Sequence, residues 1–183
     1  MSVLACPDSA TISAAATAIR VSGLVRQSIV DGPGLRLTLF TQGCRHNCPG
    51  CHNPGSHDCA GGYDMEPEDV IAEFDRNPLL SGVTLSGGDP VLQAARLLPV
   101  ARAVRARGKT VWCYTGYTFE QLREKAKKDP DIDELCRLTH VLVDGRFDLA
   151  KRDLTLRFRG SANQRIIDMP RSWLAGVAVE IRM

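Results

Sequence analysis

The chain reads as an α/β protein, a partial, open β/α barrel of about five to six parallel strands. Two observations carry that reading. Short apolar runs alternate with amphipathic stretches from Leu35 onwards, the pattern of successive βαβ units. A closed eight-unit barrel needs about 250 residues, whereas this chain has 183, so the barrel is expected to stay open. A third observation points to function. The turns rich in Cys, Gly and Asp all follow strands, and in a parallel α/β sheet those turns gather at one face, where ligands bind.

Taken in order, residues 1–18 are rich in Ala, Ser and Thr and are expected to form a poorly ordered tail; residues 19–183 are expected to form a single domain. No basic segment precedes an apolar run, so a signal peptide is not expected. Residues 19–25 predict a short strand, followed by the turn Asp31-Gly32-Pro33-Gly34. Residues 35–41 form a β-rich run leading into the cysteine loop. Residues 64–75 read as a helix with Asp64 near its N-cap, Pro67 in its first turn, and Val70, Ile71 and Phe74 on one face. A strand at residues 82–85 ends in Ser86-Gly87-Gly88-Asp89-Pro90. A helix follows to Arg107, with Pro99 expected in its first turn or as a kink.

Residues 110–114 predict the next strand, closed by Thr115-Gly116. Thr118 and Gln121 have the spacing of a capping box, opening a helix with Phe119, Leu122 and Ala126 inward. Asp129-Pro130 starts another helix, with Ile132, Leu135 and Cys136 at helical spacing. Residues 140–143 make a buried strand ended by Asp144-Gly145. Residues 154–158 and 177–181 are weaker strand candidates.

The chemistry concentrates between Phe40 and Pro54, where Cys44, Cys48 and Cys51 stand in a C-x3-C-x2-C pattern on one loop. A [4Fe–4S] cluster has four irons, each normally held by a thiolate. Three local cysteines therefore leave one iron open. Structural zinc is an alternative, with Cys48 and Cys51 as one pair and His52, His57 or Cys59 completing a tetrahedral set. Cys48-Pro49-Gly50-Cys51 also reads by itself as a redox dithiol. Convergence of glycine-rich turns on the loop favours the cluster, because a zinc staple gains nothing from them and a dithiol leaves Cys44 unexplained.

The totals narrow the class. Seven cysteines, three of them crowded on one loop, are not the even, dispersed framework of a secreted disulfide protein, so a reducing cytoplasm is expected. No apolar run reaches the 18 or so residues of a membrane span. The formal net charge of +2 gives no support to nucleic-acid binding. Charge is uneven, however. Residues 151–183 carry seven basic and three acidic groups. Lys151, Arg152, Arg157, Arg159 and Arg165 lie in this region, either as a docking face, as a solvated face, or, for Arg159 and its neighbours, as an anchor for a carboxylate.

The cysteine loop and Gly-Gly-Asp-Pro turn resemble those of the radical S-adenosylmethionine (radical SAM) enzymes. The segments Ile29-Val30-Asp31-Gly32-Pro33-Gly34, Phe40-Thr41-Gln42-Gly43-Cys44 and Cys51-His52-Asn53 are similar to the glycyl-radical-enzyme activases within that superfamily. Leu85–Pro90, Tyr114–Tyr117, Val141–Phe147 and Arg159–Gln164 resemble the branch that serves anaerobic ribonucleoside-triphosphate reductases.

The resemblance implies a fold of radical SAM type, with Cys44, Cys48 and Cys51 holding a [4Fe–4S] cluster and SAM chelating the fourth iron. It places the backbone of Gly50, Cys51 and His52 along the adenine, and Gly87 and Gly88 against the methionine moiety. Asp89 is a candidate acceptor for the SAM ammonium, with helix capping as its alternative role. Asp31, Asp144 and Asn163 are lesser candidates with turn or capping roles as alternatives. Many radical SAM proteins carry an aromatic residue where this chain has Gly50, so adenine packing is expected from backbone or His52. His46, His57 and His140 are expected to be surface or structural. Cys6, Cys59, Cys113 and Cys136 have no role in the motif.

The implied reaction is reductive cleavage of SAM to a 5′-deoxyadenosyl radical, which takes hydrogen from a glycine Cα of a partner. The implied partners are an anaerobic ribonucleoside-triphosphate reductase as protein substrate and reduced flavodoxin or a similar electron donor. An activase of another glycyl radical enzyme, such as pyruvate formate-lyase, is the nearest alternative, although those are longer and carry Gly-Gly-Glu. A zinc-binding interaction module is the alternative from a different class.

Overall fold

A computed structural model describes residues 17–183. The tail expected over residues 1–18 thus lies, but for Thr17 and Ala18, outside the described residues. Among the described residues seven strands form one sheet: β1 (Ile19–Ser28), β2 (Arg36–Thr41), β3 (Tyr63–Met65), β4 (Gly82–Gly87), β5 (Thr110–Tyr114), β6 (Val141–Asp144) and β7 (Arg165–Asp168). Their order is β3-β1-β2-β4-β5-β6-β7, and the sheet does not close.

The parallel run comprises four strands, β2, β4, β5 and β6, rather than the expected five to six. Chain length explains the difference. Only residues 29–35 join β1 to β2, too few for a parallel crossover, which takes a dozen or more. The pair is therefore antiparallel. β3 also pairs antiparallel with β1, and β7 with β6.

Five α-helices among the described residues connect or follow these strands: α1 (Pro67–Asp75), α2 (Ala94–Ala106), α3 (Phe119–Ala126), α4 (Pro130–Leu138) and α5 (Met169–Ala175). Strand periodicity decides what each sheet face is made of. Leu37, Leu39, Val83, Leu85, Val111, Cys113, Leu142 and Ile167 share one buried cluster with helical Val70, Phe74, Leu97, Ala101, Phe119, Leu122 and Leu135. The alternating positions Thr38, Phe40, Thr84, Ser86, Trp112, Tyr114 and Val143 face the other way. There the apolar cluster is small, built on Trp112, Val143 and Ile166, and the remainder is polar. One face is thus a helix-covered core, and the other is available for a site.

Arg36 anchors the start of that second face. Its guanidinium is 1% exposed and donates to Thr84 Oγ1 (2.7 Å), Val83 O (2.7 Å) and Thr110 Oγ1 (3.0 Å). It thereby ties β2 to β4 and β5, while the cation lies 5.6 Å from the Trp112 ring centroid. Burial lowers its pKa to about 10.

Local signals resolve as physical chemistry predicts, with four corrections. The Thr118–Gln121 capping box is present on α3, and the Asp129 side chain caps α4. Asp64 belongs to β3, and Glu66 takes the N-cap position of α1 ahead of Pro67. Pro99 lies inside α2, which follows a separate 3-10 turn at Pro90–Gln93. Residues 154–158 form turns instead of a strand, with Phe158 at a left-handed φ of 57°. Residues 177–181 contribute only an isolated bridge, Ile167 to Glu180. β7 and α5 were not expected, because Ile166-Ile167 is too short an apolar run to stand out.

Phe119 is fully buried and packs edge-on against Trp173, with ring centroids 5.9 Å apart. Phe119→Ala is expected to cost about 3–5 kcal/mol, read by denaturant unfolding. Burial pushes the Cys136 thiol up to about 12. A folded-state pKa raised above the unfolded one gives stability that is full below the ordinary thiol value of 9.0 and lost as pH rises towards 12. Unfolding midpoints at neutral pH and near pH 10.5 should therefore separate less in Cys136→Ala than in the unaltered protein.

Candidate active site

The cysteine loop leaves the carboxyl end of β2 and folds back on itself. Gly43 N–H donates to Ser56 O (2.8 Å) and Cys44 N–H to His57 O (3.2 Å). The Gln42 amide supports the same return by donating to Gly55 O and Asp58 O. Asn47 takes a left-handed φ of 46°, a conformation this residue type tolerates. The His46 and Asn47 backbone groups lie near the Cys44 sulfur and oppose the effect of its burial. The Phe147 backbone lies near the Cys48 sulfur and opposes the effect of its burial, and Cys51 Sγ accepts from Asn53 N–H at 3.4 Å.

Cys44, Cys48 and Cys51 are all free thiols, partly buried, and line one cavity of about 590 Å³. Burial pushes Cys44 up to about 11 and raises Cys48 as well, so loading a metal must displace protons from the sulfurs. The donor set fits an iron–sulfur cluster: three soft ligands from one loop line one cavity, and the Cys51 sulfur already accepts from a backbone N–H of the kind that tunes such clusters.

The turn after β4 is pressed onto this loop. Gly88 N–H donates to Thr41 O (2.7 Å), and Asp89 N–H to Gly43 O (2.8 Å). Gly87 has φ 94°, and a Cβ there would lie 2.6 Å from Thr41 N. A Cβ on Gly88 would overlap the carbonyl oxygen of Gly43 and come within 3.0 Å of Ser56 O. Both glycines line the cavity. The close approach expected here is real, but the group that fills the missing side-chain space at Gly88 is the cysteine-loop backbone.

Asp89 is fully buried and is not among the cavity-lining residues. Its carboxylate accepts from Val91 N–H (3.0 Å), Thr115 Oγ1 (2.9 Å) and Gly116 N–H (3.2 Å), and lies 2.6 Å from His46 Nε2. Asp89 therefore caps the Pro90–Gln93 turn and braces the site wall. Gly50 also lies outside the lining; a Cβ there would meet Leu149 at 2.9 Å. Cys51 and His52 do line the cavity, and the His52 ring packs on Phe147 at 4.9 Å between centroids.

Asp31 lines the cavity with its carboxylate held by Ser28 and by Thr38 Oγ1 (3.0 Å). Asp144 points elsewhere: it is buried, accepts from Phe119 N–H (2.7 Å) at the start of α3, and pairs with Arg165. Asn163 donates to Arg146 O (2.8 Å) and is outside the lining. Arg159 reaches the cavity while donating to Gln164 O (2.7 Å).

Sequence reasoning passed over Phe147 and His46. Phe147, directly after the β6 turn, supplies the aromatic surface absent at Gly50. His46 is not a surface residue: its side chain is 5% exposed and its ring lines the cavity. Its place between two of the cysteines was the available signal.

Cys44→Ala, Cys48→Ala and Cys51→Ala are each expected to lose iron and acid-labile sulfide, whereas Cys113→Ala and Cys59→Ala retain them. Gly88→Val is also expected to lose most of its iron, because the added side chain must displace the Gly43 carbonyl and the loop behind it. Iron per chain after anaerobic reconstitution checks both expectations.

The 4Fe-4S single cluster domain model matches residues 30–167. The activating protein of anaerobic ribonucleoside-triphosphate reductase from Vibrio cholerae is 39% identical over 146 residues, covering 75% of this chain and 90% of that protein. The protein of that name from Escherichia coli K12 is 37% identical over 144 residues, covering 74% and 90%. The one from bacteriophage T4 is 32% identical over 143 residues, covering 75% and 86%. Among solved structures, QueE from Escherichia coli aligns with a TM-score of 0.46 at 17% identity, over 56% of this chain and 55% of its own. With a cluster-domain match spanning the cysteine cavity and these identities over most of both chains, the chain belongs to the family of anaerobic ribonucleoside-triphosphate reductase-activating proteins.

Proposed function

We propose that the chain is a radical SAM activase that generates a glycyl radical on an anaerobic ribonucleoside-triphosphate reductase. The observation that carries this reading is the convergence of three free thiols and the Gly87-Gly88 turn on one cavity at the carboxyl ends of the parallel strands. The names of the relatives support that partner over another glycyl radical enzyme. In this reading the open sheet is a partial barrel of radical SAM type, and residues 19–183 form one domain.

When bound, the cluster and SAM supply the electron transfer and the carbon radical that takes hydrogen from a glycine Cα. The chain's own residues bind and orient. Cys44, Cys48 and Cys51 would hold the cluster, with Asn53 N–H donating to the Cys51 sulfur and the His46, Asn47 and Phe147 backbone beside the other two. Gly87 and Gly88 line the cavity where the amino-acid part of SAM would lie, their missing side chains letting the β4 turn press onto the cysteine loop. Phe147 and His52, their rings tilted 49° to one another, offer aromatic surface for adenine beside the Cys51 backbone. Arg159 is placed to meet a carboxylate, while Asp89 supports the wall from behind. An unclosed sheet leaves room for a partner to deliver a backbone segment.

Reduced flavodoxin or a similar acidic donor fits the basic C-terminal region, and a reducing cytoplasmic setting fits the three free thiols of the cysteine loop. No helix among the described residues is long and apolar enough to cross a membrane. The docking face is narrower than charge alone suggests. Arg165 is paired with Asp144 and Glu120; Lys151, Arg152 and Arg157 are exposed, Lys151 beside Asp148 at 3.5 Å.

Reductive cleavage of SAM to 5′-deoxyadenosine, followed by a glycyl radical signal on the reductase, tests the function; a reconstituted protein that does neither would sink it. Phe147→Ala should raise the SAM dissociation constant about tenfold through lost stacking, with iron content unchanged. Neutralising Lys151 and Arg152 should slow activation at low salt without changing SAM affinity. Equal rates across a salt series would remove the docking face.

A further inference from the structure

His46 stands between two of the cluster cysteines, and its ring is held from three sides. Nε2 lies 2.6 Å from Asp89 Oδ2. The Tyr117 ring meets it edge-on at 4.6 Å between centroids. Gly116 leaves space for it: a Cβ on Gly116 would lie within 2.6 Å of both Cγ and Nε2. Asp89 is an acceptor, already taking hydrogen bonds from Thr115, Gly116 and Val91, so Nε2 is the donor to it. With Cγ, Cδ2 and Nε2 against Gly116, the Nδ1–Cε1 edge faces away from that wall.

Nδ1 is buried and has no hydrogen-bond partner in the protein. Two other buried side-chain atoms among the described residues share that condition, His57 Nε2 and Arg123 Nη1, and neither residue lines the cavity. A buried, unpaired ring nitrogen costs free energy unless something satisfies it. Here the ring is locked, so side-chain rotation cannot relieve the cost.

We propose that His46 Nδ1 is a hydrogen-bonding contact to the cofactor assembly held by Cys44, Cys48 and Cys51, with Asp89 as the residue that positions it. The inference rests on the activase reading above. The contacting group is the amino-acid end of SAM, whose N–H donates to Nδ1, the lone-pair nitrogen of a ring that carries its proton on Nε2. The Asp89–His46 pair fixes the ring before anything binds, as buried partners do for metal-site histidines.

Two substitutions separate the two ring nitrogens. His46→Gln places an amide where Nε2 reaches Asp89 and has nothing at Nδ1. His46→Asn keeps an amide near Nδ1 and gives up Asp89. Full-length protein is reconstituted anaerobically; iron, cluster midpoint potential with and without SAM, and the SAM dissociation constant are measured. Both variants are expected to hold the cluster, since the three thiolates remain. In His46→Gln, a potential shifted in the absence of SAM would show that the ring acts on the cluster itself and overturn the assignment to SAM. SAM binding about tenfold weaker at an unchanged potential identifies the amino-acid end. His46→Asn should lie nearer the unaltered protein in the affected quantity.

The proposal is overturned if His46→Gln matches the unaltered protein in SAM affinity, or if His46→Asn is impaired as much as His46→Gln or more. The unaltered protein labelled with ¹⁵N-histidine gives a reading that needs no variant to fold. Pulsed EPR of its reduced cluster with SAM should show a histidine nitrogen coupling, and absence of that coupling overturns the assignment. Failure of the unaltered protein to assemble any cluster would instead count against the activase reading.

Discussion

The site depends on one close backbone approach: the β4 turn lying directly on the cysteine loop. Gly43 sits at the crossing. Its carbonyl accepts from Asp89 N–H and occupies the space a side chain on Gly88 would take. Because β2 and β4 run parallel and in register to Thr41 and Gly87, both loops leave the sheet at the same height. Without glycine at that height they would be pushed apart, and the three thiols would lose the wall they share with the rest of the cavity. Asp89 extends the same joint to β5 through Thr115 and Gly116, so three successive strand ends are fastened behind the site.

This arrangement separates stability from chemistry across the thickness of the sheet. The helix-covered face carries the continuous apolar cluster. The opposite face begins at buried Arg36, runs through hydroxyl-bearing Thr38, Thr84 and Ser86, and ends at the sulfurs. A polar inner face is costly unless its groups are paired, and most of those observed are: Arg36 with Thr84 and Thr110, and Asp31 with Ser28 and Thr38. The buried atom left over on this face belongs to the residue beside the cysteines.

Much of the architecture was legible because it rests on local rules. Alternating apolar runs located the parallel strands, the Thr118–Gln121 spacing located a helix start, and three thiols on one loop located the site. Strand direction at the two ends of the sheet was not legible, because pairing is set by connection length and by partners distant in sequence. β7 has two fully apolar residues to announce it, and β3 has three residues in all. Within the site, cysteine roles follow from element chemistry, but side-chain direction does not. Asp89 looks like a ligand contact in one dimension and turns out to face Thr115; His46 looks incidental and is enclosed by Asp89, Gly116 and Tyr117. Phe147 is nearly a hundred residues from Cys51 in the chain and reaches His52 only through the β6 turn.

An unclosed sheet also has two raw borders, each a row of backbone groups able to recruit a foreign strand. Both are blunted here. On one side β3 covers only Ile19–Val21 of β1, and the rest of β1 is broken by register shifts between Val21 and Gly23 and between Val25 and Ser28, which spoil it as a template. On the other, the chain after α5 returns along β7, with Asp168 N–H donating to Val179 O and Ile181 N–H to Ile166 O. The final residues thus act as a selvedge, keeping the sheet open towards a protein substrate without inviting one copy to polymerise onto the next.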